Sequence, residues 1–236
     1  MSAAPDARAA EVSVLVPVYN EEATLDALLE RVRKAPYVKQ VIVVDDGSSD
    51  GTAARLQCWR DVPGFEALAH PRNRGKGAAI RTALARATAP FTIIQDADLE
   101  YDPAEYPKLI EPLRRGEARV VYGTRYTSGT NALPWTRFRL AVHLLNGMVR
   151  VLYGAKITDE ATCYKAFETA LLKSLPLRCE RFEFCPEVTA KVLKRGVAIL
   201  ETPISFRYRT VEEGKKIGWR DGFEAIWTLL KYRFVD

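Results

Sequence analysis

The first half of the chain alternates short apolar runs with segments of helical periodicity. Apolar and largely β-branched runs occupy residues 12–18 (VSVLVPV), 41–44 (VIVV), 65–69, 91–94 (FTII) and 120–122. Between them, residues 24–34, 51–59, 76–87 and 103–115 repeat apolar side chains at helical spacing. Strands that are apolar on both faces belong inside a sheet that helices cover. The alternation therefore predicts an α/β fold with a mostly parallel central sheet and helices on both faces.

The second half of the chain has a less regular pattern. Helices are predicted at residues 137–153 and 187–194, and strands at residues 198–201 and 204–208. The last segment repeats large apolar side chains at helical spacing, which predicts a C-terminal amphipathic helix. These side chains are Trp219, Phe223, Ile226, Trp227, Leu230 and Phe234. Because no repeat or linker separates the two halves, we expect one domain over residues 1–236.

Composition excludes several classes of protein. Of the 236 residues, 47% are hydrophobic, and 35 Lys and Arg stand against 30 Asp and Glu, which excludes a disordered chain. No window approaches the ~20 apolar residues that span a bilayer, and the N-terminus lacks the apolar stretch of a secretory signal. Four cysteines without CxxC spacing and two histidines do not suit a zinc site. We expect reduced thiols in a cytosolic protein.

Polar side chains cluster where three of the predicted strands end. The first strand leads into Pro17, Tyr19, Asn20 and Glu21, the second into residues 45–51 (DDGSSDG), and the fourth into residues 95–100 (QDADLE). Ligands of open α/β sheets bind outside the carboxyl ends of the strands. The three clusters therefore predict one ligand site at that edge of the sheet.

Asp96, Asp98 and Glu100 are the candidate metal ligands of this site. In an extended segment, side chains two residues apart point to the same side, so these three carboxylates would repel one another. A hard divalent cation such as Mg²⁺ or Mn²⁺ relieves that repulsion, and substrate phosphates complete its shell. The alternative is an acidic strand-to-helix loop without a metal. Asp102, directly before Pro103, is the predicted helix N-cap.

Asp46 has two interpretations. It either caps the helix that begins near Gly51 or accepts a hydrogen bond from a nucleotide base or ribose. Ser49 and Asp50 lie closer to that helix, which leaves Asp45 and Asp46 for the ligand.

Basic side chains follow other elements of the same edge. Residues 72–79 (RNRGKGAA) open a helix, where backbone amides and Lys76 suit phosphate binding, although an ordinary turn explains the segment equally well. Arg125 follows the last strand of the first half and is placed to reach a diphosphate. The basic stretch formed by Arg207, Arg209, Lys215, Lys216 and Arg220 is either a solvated surface or a loop that closes over phosphate groups.

Four motifs together resemble the family-two glycosyltransferases: VPVYNE (16–21), VDDGSSDGT (44–52), NRGKG (73–77) and DADLEYDP (96–103). The set is more closely similar to the dolichyl-phosphate mannose and glucose synthases and their bacterial relatives. The similarity continues through TDEATCYKAF (158–167), FCPEVTAKV (184–192) and EEGKKIGWRDG (212–222). It implies a GT-A fold, a UDP- or GDP-hexose donor and inversion at the anomeric carbon. It also implies a donor-binding half at residues 11–125 and an acceptor-binding half at residues 126–236.

The resemblance also implies site roles, residue by residue. The positions that match nucleotide contacts are Pro17, Tyr19, Glu21, Val44 and Asp46. The triplet Asp96, Ala97 and Asp98 matches the DxD motif that holds the metal ion on the donor diphosphate, and Glu100 stands where the related synthases often have Gln. Arg125, Arg209 and Lys216 resemble basic side chains around the diphosphate. The match is weakest over residues 126–139, where acceptor contacts are expected.

The acceptor decides whether the implied reaction needs a base. A hydroxyl acceptor requires a carboxylate to remove its proton, and Asp159 and Glu160 are the candidates, although Asp159 alternatively holds a basic side chain. A polyprenyl phosphate is already ionised and needs no base. Arg125 and Lys216, with the metal ion, are expected to neutralise the departing diphosphate. The C-terminal helix either packs on its own domain or lies on an anionic membrane through its aromatic face and Arg220, Lys231 and Arg233.

Two other functions compete with a glycosyltransferase. A sugar-1-phosphate nucleotidyltransferase should carry a GxGxR-like signature near the first strand, and VPVYNEEAT lacks one. A nucleic-acid or nucleotide-binding module suits the pI near 9.0, but acidic residues occupy the expected ligand edge, so we expect no nucleic-acid partner. We expect a cytoplasmic location, with peripheral contact at the inner face of the membrane as one option. The sugar, the base, the acceptor and the oligomeric state stay open.

Overall fold

A computed structural model describes residues 11–126, 137–208 and 219–235 of the chain. The strands in these ranges are β1 (Val12–Val18), β2 (Val38–Asp45), β3 (Phe65–Ala69), β4 (Phe91–Ile94), β5 (Val120–Thr124), β6 (Lys165–Glu168) and β7 (Leu200–Pro203). They form a seven-stranded sheet in the order β3-β2-β1-β4-β6-β5-β7. Strand β6 is antiparallel to both neighbours, and the other paired strands are parallel. The predicted mostly parallel sheet is confirmed.

Helices cover both faces of this sheet. They are α1 (Leu25–Lys34), α2 (Thr52–Gln57), α3 (Lys76–Arg86), α4 (Tyr106–Arg114), α5 (Arg137–Tyr153), α6 (Thr169–Ser174), α7 (Phe184–Lys194) and α8 (Trp219–Phe234). Along β1, Val14 and Val16 pack in the core under α1 and α4, whereas Leu15 packs in the core under α3, α6 and α7. This alternation is the period of two that a strand buried on both faces requires.

A third apolar cluster joins α5, α7 and α8. Leu145 and Val149 of α5 meet Leu229 and Tyr232 of α8, and Ala190 of α7 completes the contact. One side of the C-terminal helix therefore packs on the rest of the chain. Within the described residues, no helix is long and apolar enough to cross a bilayer.

Most elements of the first half have the predicted positions. Strands β1, β3 and β4 match their predicted bounds, whereas β2 begins three residues earlier, at Val38, because it includes the polar Lys39 and Gln40. The helix predicted at residues 103–115 is a 3₁₀ turn at Pro103–Glu105 followed by α4. The predicted cap is confirmed, since the Asp102 carboxylate accepts the Ala104 N–H at 3.0 Å.

The strand predicted at residues 204–208 is wrong. Only Leu200–Pro203 pairs with β5, and Pro203 lies opposite Thr124, the last residue of β5. The Ile204 N–H still donates to the Thr124 carbonyl at 3.1 Å, but β5 ends there, so residues 204–208 continue without regular structure. The Arg207 N–H instead donates to the Glu100 carbonyl at 2.9 Å.

The sequence analysis did not predict β6 and α6. The four residues of β6 include a lysine and a glutamate, and so short a segment has no readable alternation. Lys165 is nevertheless fully buried. Its ammonium donates to the Glu160 carbonyl at 2.8 Å and lies 3.5 Å from the centre of the Tyr122 ring. These contacts compensate for burying the charge, so β6 fits between β4 and β5.

Candidate functional site

The loops that follow β1 and β2 are tied together at the carboxyl edge of the sheet. The Asn20 N–H donates to Ser48 Oγ at 2.9 Å, and the Ser49 N–H donates to Asn20 Oδ1 at 2.8 Å. Asn20 has a φ of +52°, a left-handed conformation that asparagine tolerates better than most residues. Two of the predicted polar clusters therefore form one joined edge.

The residues matched to nucleotide contacts differ in what they present. Glu21 is 8% exposed; its Oε2 accepts the Thr24 hydroxyl at 2.9 Å, and its N–H donates to Thr52. Tyr19 is half-buried. Pro17 and Val44 lie opposite each other on β1 and β2, and the Val44 side chain is fully buried in the core. Val44 therefore contributes packing beneath the edge, whereas Tyr19 and Glu21 line it.

Asp46 holds the loop that begins α3. Its Oδ1 contacts His70 Nδ1 at 2.6 Å and accepts the Arg74 N–H at 3.0 Å, and its Oδ2 accepts the Gly75 N–H at 2.6 Å. His70 Nε2 lies 2.9 Å from Thr82 Oγ1 on α3. The carboxylate that the sequence analysis left for a ligand therefore also fixes residues 74–75, and hence the start of the helix that carries Lys76.

Glycine is required at two positions of these loops. Gly47 has a φ of +72°, and a Cβ there would lie 2.6 Å from the backbone carbon of Arg72. Gly75 has a φ of +97°, and a Cβ there would lie 2.3 Å from the Glu180 carbonyl oxygen. The loops after β2 and before α3 thus pack backbone against backbone.

The acidic segment after β4 turns instead of running extended. Strand β4 ends at Ile94, and Leu99 has a φ of +62°, so the premise that residues 96–100 alternate like a strand is wrong. The turn lets Asp98 Oδ1 accept the Glu100 N–H at 3.1 Å. Asp96 Oδ1 lies 2.5 Å from Lys76 Nζ, which joins the third polar cluster to the α3 loop.

Negative charge is nevertheless concentrated at this turn. Burial, together with the negative charges of Asp96 and Glu100, raises the pKa of Asp98 to about 7. Burial alone would lower the pKa of Lys76, but the charge and hydrogen bond of Asp96, together with the nearby thiols of Cys163 and Cys185, raise that pKa well above the usual value. The turn therefore stabilises cations strongly.

The donor set fits a magnesium- or manganese-type ion in part. Carboxylate oxygens are the ligands that such hard cations prefer, and one or two of them usually suffice when substrate phosphates supply the rest. Across the described residues, no three His, Cys, Asp or Glu side chains converge as a metal site. Asp96 and Asp98 thus fit an ion whose remaining ligands are phosphate oxygens. Among the described residues, Glu100 does not form a three-carboxylate metal site with them.

Arg125 and Asp159 form a buried ion pair next to this turn. Arg125 Nε and Nη2 each lie 2.7 Å from an Asp159 oxygen, and the Arg125 N–H donates to the same carboxylate at 3.0 Å. Burial would lower the pKa of Arg125, but Asp159 raises it well above the usual value. The guanidinium also lies 5.0 Å from the Phe206 ring. Asp159 therefore holds a basic side chain, as one of the two sequence interpretations stated.

Tyr101 connects the ion pair to the acidic turn. Its ring stacks on Tyr164 with centroids 5.0 Å apart, and its hydroxyl accepts the Cys163 N–H at 3.3 Å. Burial raises the pKa of Tyr101 well above its usual value, and its hydroxyl experiences the charges of both Arg125 and Asp96. The arginine and the acidic turn therefore belong to one site.

Glu160, the other candidate base, is fully buried. Its Oε1 accepts the Thr189 hydroxyl at 3.3 Å, and its Oε2 has no hydrogen-bond partner. Burial raises the pKa of Glu160 to about 8. It is therefore enclosed in the core and is not presented at the edge of the sheet.

The sequence analysis missed two residues of the site, His70 and Cys163. His70 follows β3 directly, and Cys163 precedes the unpredicted β6; the Cys163 Sγ lies 2.9 Å from Lys76 Nζ. Only the position of His70 at a strand end could have revealed it. Arg209 and Lys216, with most of residues 126–139, lie outside the described residues.

Comparison with known proteins assigns the family. A family model described as glycosyl transferase family 2 matches residues 13–175, more than half of the chain. The chain belongs to glycosyl transferase family 2. The undecaprenyl-phosphate 4-deoxy-4-formamido-L-arabinose transferase of Edwardsiella ictaluri (strain 93-146) is 33% identical over 211 residues, 86% of this family-2 chain and 62% of that protein. The undecaprenyl-phosphate mannosyltransferase of Micrococcus luteus is 29% identical over 220 residues, 88% of each chain.

Solved structures share the fold at lower identity. Glucosyl-3-phosphoglycerate synthase from Mycobacterium tuberculosis, in complex with Mn²⁺, UDP and phosphoglyceric acid, superposes with a TM-score of 0.72 at 21% identity over 96% of this family-2 chain and 79% of that one. The complex of that enzyme with Mg²⁺ and UDP gives a TM-score of 0.71 at 22% identity, over 96% and 80% of the two chains. The GT-A fold that the motifs implied is confirmed.

Proposed function

We propose that this family-2 protein is a metal-dependent inverting glycosyltransferase that moves a hexose from a UDP- or GDP-sugar to a polyprenyl phosphate. The observation that carries the proposal is the acidic turn at the carboxyl edge of the sheet, where Asp96 and Asp98 meet Lys76 beside the Arg125–Asp159 ion pair. An edge with both signs of charge suits a ligand that brings a metal ion and a diphosphate together.

The donor is bound by residues 11–125 in this proposal. Tyr19 and Glu21 contact the nucleoside, with Pro17 and Val44 shaping the floor and Asp46 holding the α3 loop against it. Asp96 and Asp98 would hold Mg²⁺ or Mn²⁺. Ala97, between them, and Glu100 belong to the same turn and would lie beside the bound donor. The mycobacterial synthase whose fold is shared was solved with UDP and either ion, which supports this class of donor.

The leaving diphosphate is stabilised by charge. When bound, the metal ion supplies Lewis-acid stabilisation of the departing diphosphate. Among the described residues, Lys76 and Arg125 bring positive charge to the acidic turn, and Arg209 and Lys216 complete the basic set in this proposal. Such preorganised charges act where negative charge develops in the transition state, so they lower the barrier. The acceptor attacks from the opposite side of the anomeric carbon, which inverts it.

A phosphate acceptor, which needs no base, agrees with the surroundings of Asp159 and Glu160, the two candidate bases. Asp159 is engaged by Arg125 through both oxygens, and Glu160 is enclosed in the core. Neither presents a carboxylate that would take a proton from a hydroxyl, whereas an ionised phosphate needs no base. The curated relatives from Edwardsiella and Micrococcus are both named as undecaprenyl-phosphate transferases, which supports residues 126–236 as the acceptor half. In this proposal the protein acts at the inner face of a membrane.

A transfer assay tests this proposal directly. The full chain is incubated with a UDP- or GDP-hexose, Mn²⁺ and either a short polyprenyl phosphate or the matching polyprenol in detergent. Transfer is expected to the phosphate alone, and Asp98→Asn is expected to reduce it at least ~100-fold. Asp102→Asn is the matched control. It makes the same substitution four residues further along the chain, where asparagine can still cap the helix. Transfer to the polyprenol, or transfer that survives chelation of the metal, would contradict the proposal.

A further inference from the structure

Two apolar stripes run along helices α5 and α8 on the outside of the molecule. On α5 the stripe is Leu140, Leu144 and Val151, and on α8 it is Phe223, Trp227, Leu230 and Phe234. Both stripes follow steps of three, four or seven residues, which place side chains on one face of a helix. Val151 is 83% exposed, Trp227 65% and Phe234 81%.

The two stripes belong to one surface. Leu144, Gly147 and Val151 of α5 and Leu230 of α8 line the same groove, whose volume is about 430 Å³. The opposite sides of these helices, through Val149 and Leu229, pack in the core. The α5–α8 surface, defined by the two stripes and this groove, is therefore held rigidly although its outer side chains face solvent.

A basic cavity adjoins the groove. Gly147 lines both, and Arg150 and Lys156 line the cavity, whose volume is about 290 Å³. Helix α5 carries three arginines and no acidic residue, and α8 ends in Lys231 and Arg233. Among the described residues, neither Arg150 nor Lys156 lies within salt-bridge distance of a carboxylate.

We infer that the α5–α8 surface docks on an anionic lipid bilayer, with the two stripes in the interface and the basic side chains on lipid phosphates. Apolar side chains beside unpaired lysine and arginine are the combination that binds such membranes. A second copy of the chain fits less well. In a twofold dimer the same patch faces itself, which would bring together two surfaces of net positive charge, since α5 has no acidic residue and α8 has three basic residues against two acidic ones.

This docking would connect the membrane to the catalytic edge. Thr158 lines the basic cavity, and its neighbour Asp159 holds Arg125. Thr158 Oγ1 also lies 2.8 Å from Thr124 Oγ1 at the end of β5. The inference rests on the proposed function in one point only: a lipid-borne acceptor would reach the catalytic edge from the α5–α8 surface.

Vesicle co-sedimentation of the full chain, without donor or acceptor, tests the docking. The chain is expected to sediment with vesicles of equal parts phosphatidylcholine and phosphatidylglycerol, and to stay in solution with phosphatidylcholine alone. Trp227→Ser with Phe234→Ser should weaken binding at least about tenfold. Leu200→Ser, at an exposed apolar position on β7, is the control and should bind as the wild type does.

The charge contribution is tested by a matched pair of variants. Arg150→Gln should weaken binding about fivefold, the effect of one basic side chain near an anionic surface, whereas Arg60→Gln, at an exposed position in the turn after α2, should not. If the α8 variant loses its helical circular dichroism spectrum, Leu144→Ser on α5 tests the same surface in its place.

Three results would overturn the inference. They are failure of the wild type to bind anionic vesicles, unchanged binding by the folded stripe variants, and a dimer in size-exclusion chromatography that the stripe variants dissociate. Sugar transfer in detergent by a chain that ignores vesicles would overturn the docking alone. Vesicle binding by a chain that transfers no sugar would instead overturn the proposed function.

Discussion

The catalytic edge and the α5–α8 surface differ in where their side chains find partners. At the edge, Asp46, Asp96 and Asp159 each contact a cationic or histidine side chain of the same chain, at 2.5 to 2.7 Å. On the α5–α8 surface, Trp227 and Phe234 face solvent. The edge is therefore organised before a ligand arrives, whereas the surface is complementary to something outside the chain. Substitutions at the edge should accordingly cost stability, and those on the surface should not.

The largest expected loss is at the Arg125–Asp159 pair. Asp159→Ala leaves a buried guanidinium without its carboxylate, so the free energy of unfolding should fall by about 3–5 kcal/mol. Urea denaturation measures the change. Glu30→Ala, which removes an exposed partner of Arg33, is the control and should leave the midpoint in place. Equal midpoints for the two variants would break the contrast between the edge and the rest of the molecule.

A glycine pair separates close packing from backbone strain. Gly75→Ala combines a φ of +97° with a Cβ 2.3 Å from a carbonyl oxygen, whereas Gly154→Ala has a φ of +73° and no atom within 4 Å. We expect about 1 kcal/mol of destabilisation at Gly154 and at least about 2–3 kcal/mol at Gly75. Thermal unfolding of both variants measures the difference. A Gly75 variant no less stable than the Gly154 variant would show that the α3 loop relaxes freely.

The pH dependence of stability tests the burial of Glu160. Its pKa rises from a usual 4.5 to about 8 on folding, so between these values the folded state holds a proton that the unfolded state has lost. The stabilising contribution is complete below the lower value and disappears as pH rises to the upper one. The free energy of unfolding should fall by at most about 1.4 kcal/mol per pH unit there.

Glu160→Gln supplies the comparison for that pH profile. The amide cannot ionise, so the variant should show a flatter profile than the wild type when denaturation is repeated from acidic to mildly alkaline pH. Parallel profiles for the two proteins would mean that Glu160 is solvated, and the edge would then hold an accessible candidate base after all.

The sequence predicts elements well where burial is uniform along a segment. Val12–Val18 and Phe91–Ile94 each contain a single polar residue, Ser13 or Thr92, among apolar ones, so their strands could be read directly, and the polar residues after them mark the ligand edge. Asp102 was predictable as a cap because the interaction is local. Local signals of this kind were enough to indicate an α/β fold with a site at the strand ends.

Non-local contacts explain what the sequence did not predict. Lys165 looks like a surface residue until the Glu160 carbonyl and the Tyr122 ring surround its ammonium, so β6 was missed. Leu99 turns the acidic segment through a conformation that leucine rarely adopts, which no pattern announces. The contact of Asp46 with His70 joins residues 24 positions apart. Each of these features exists only once the sheet has formed.

The most direct test of the account is the melting temperature with UDP or GDP, each with and without Mn²⁺. A ligand that binds only the folded state raises that temperature by mass action. The account predicts that one diphosphate raises it only when Mn²⁺ is present, and that Asp98→Asn abolishes the rise while Asp102→Asn keeps it. A rise that needs no metal, or one that Asp98→Asn retains, would contradict a metal-dependent donor site at the acidic turn.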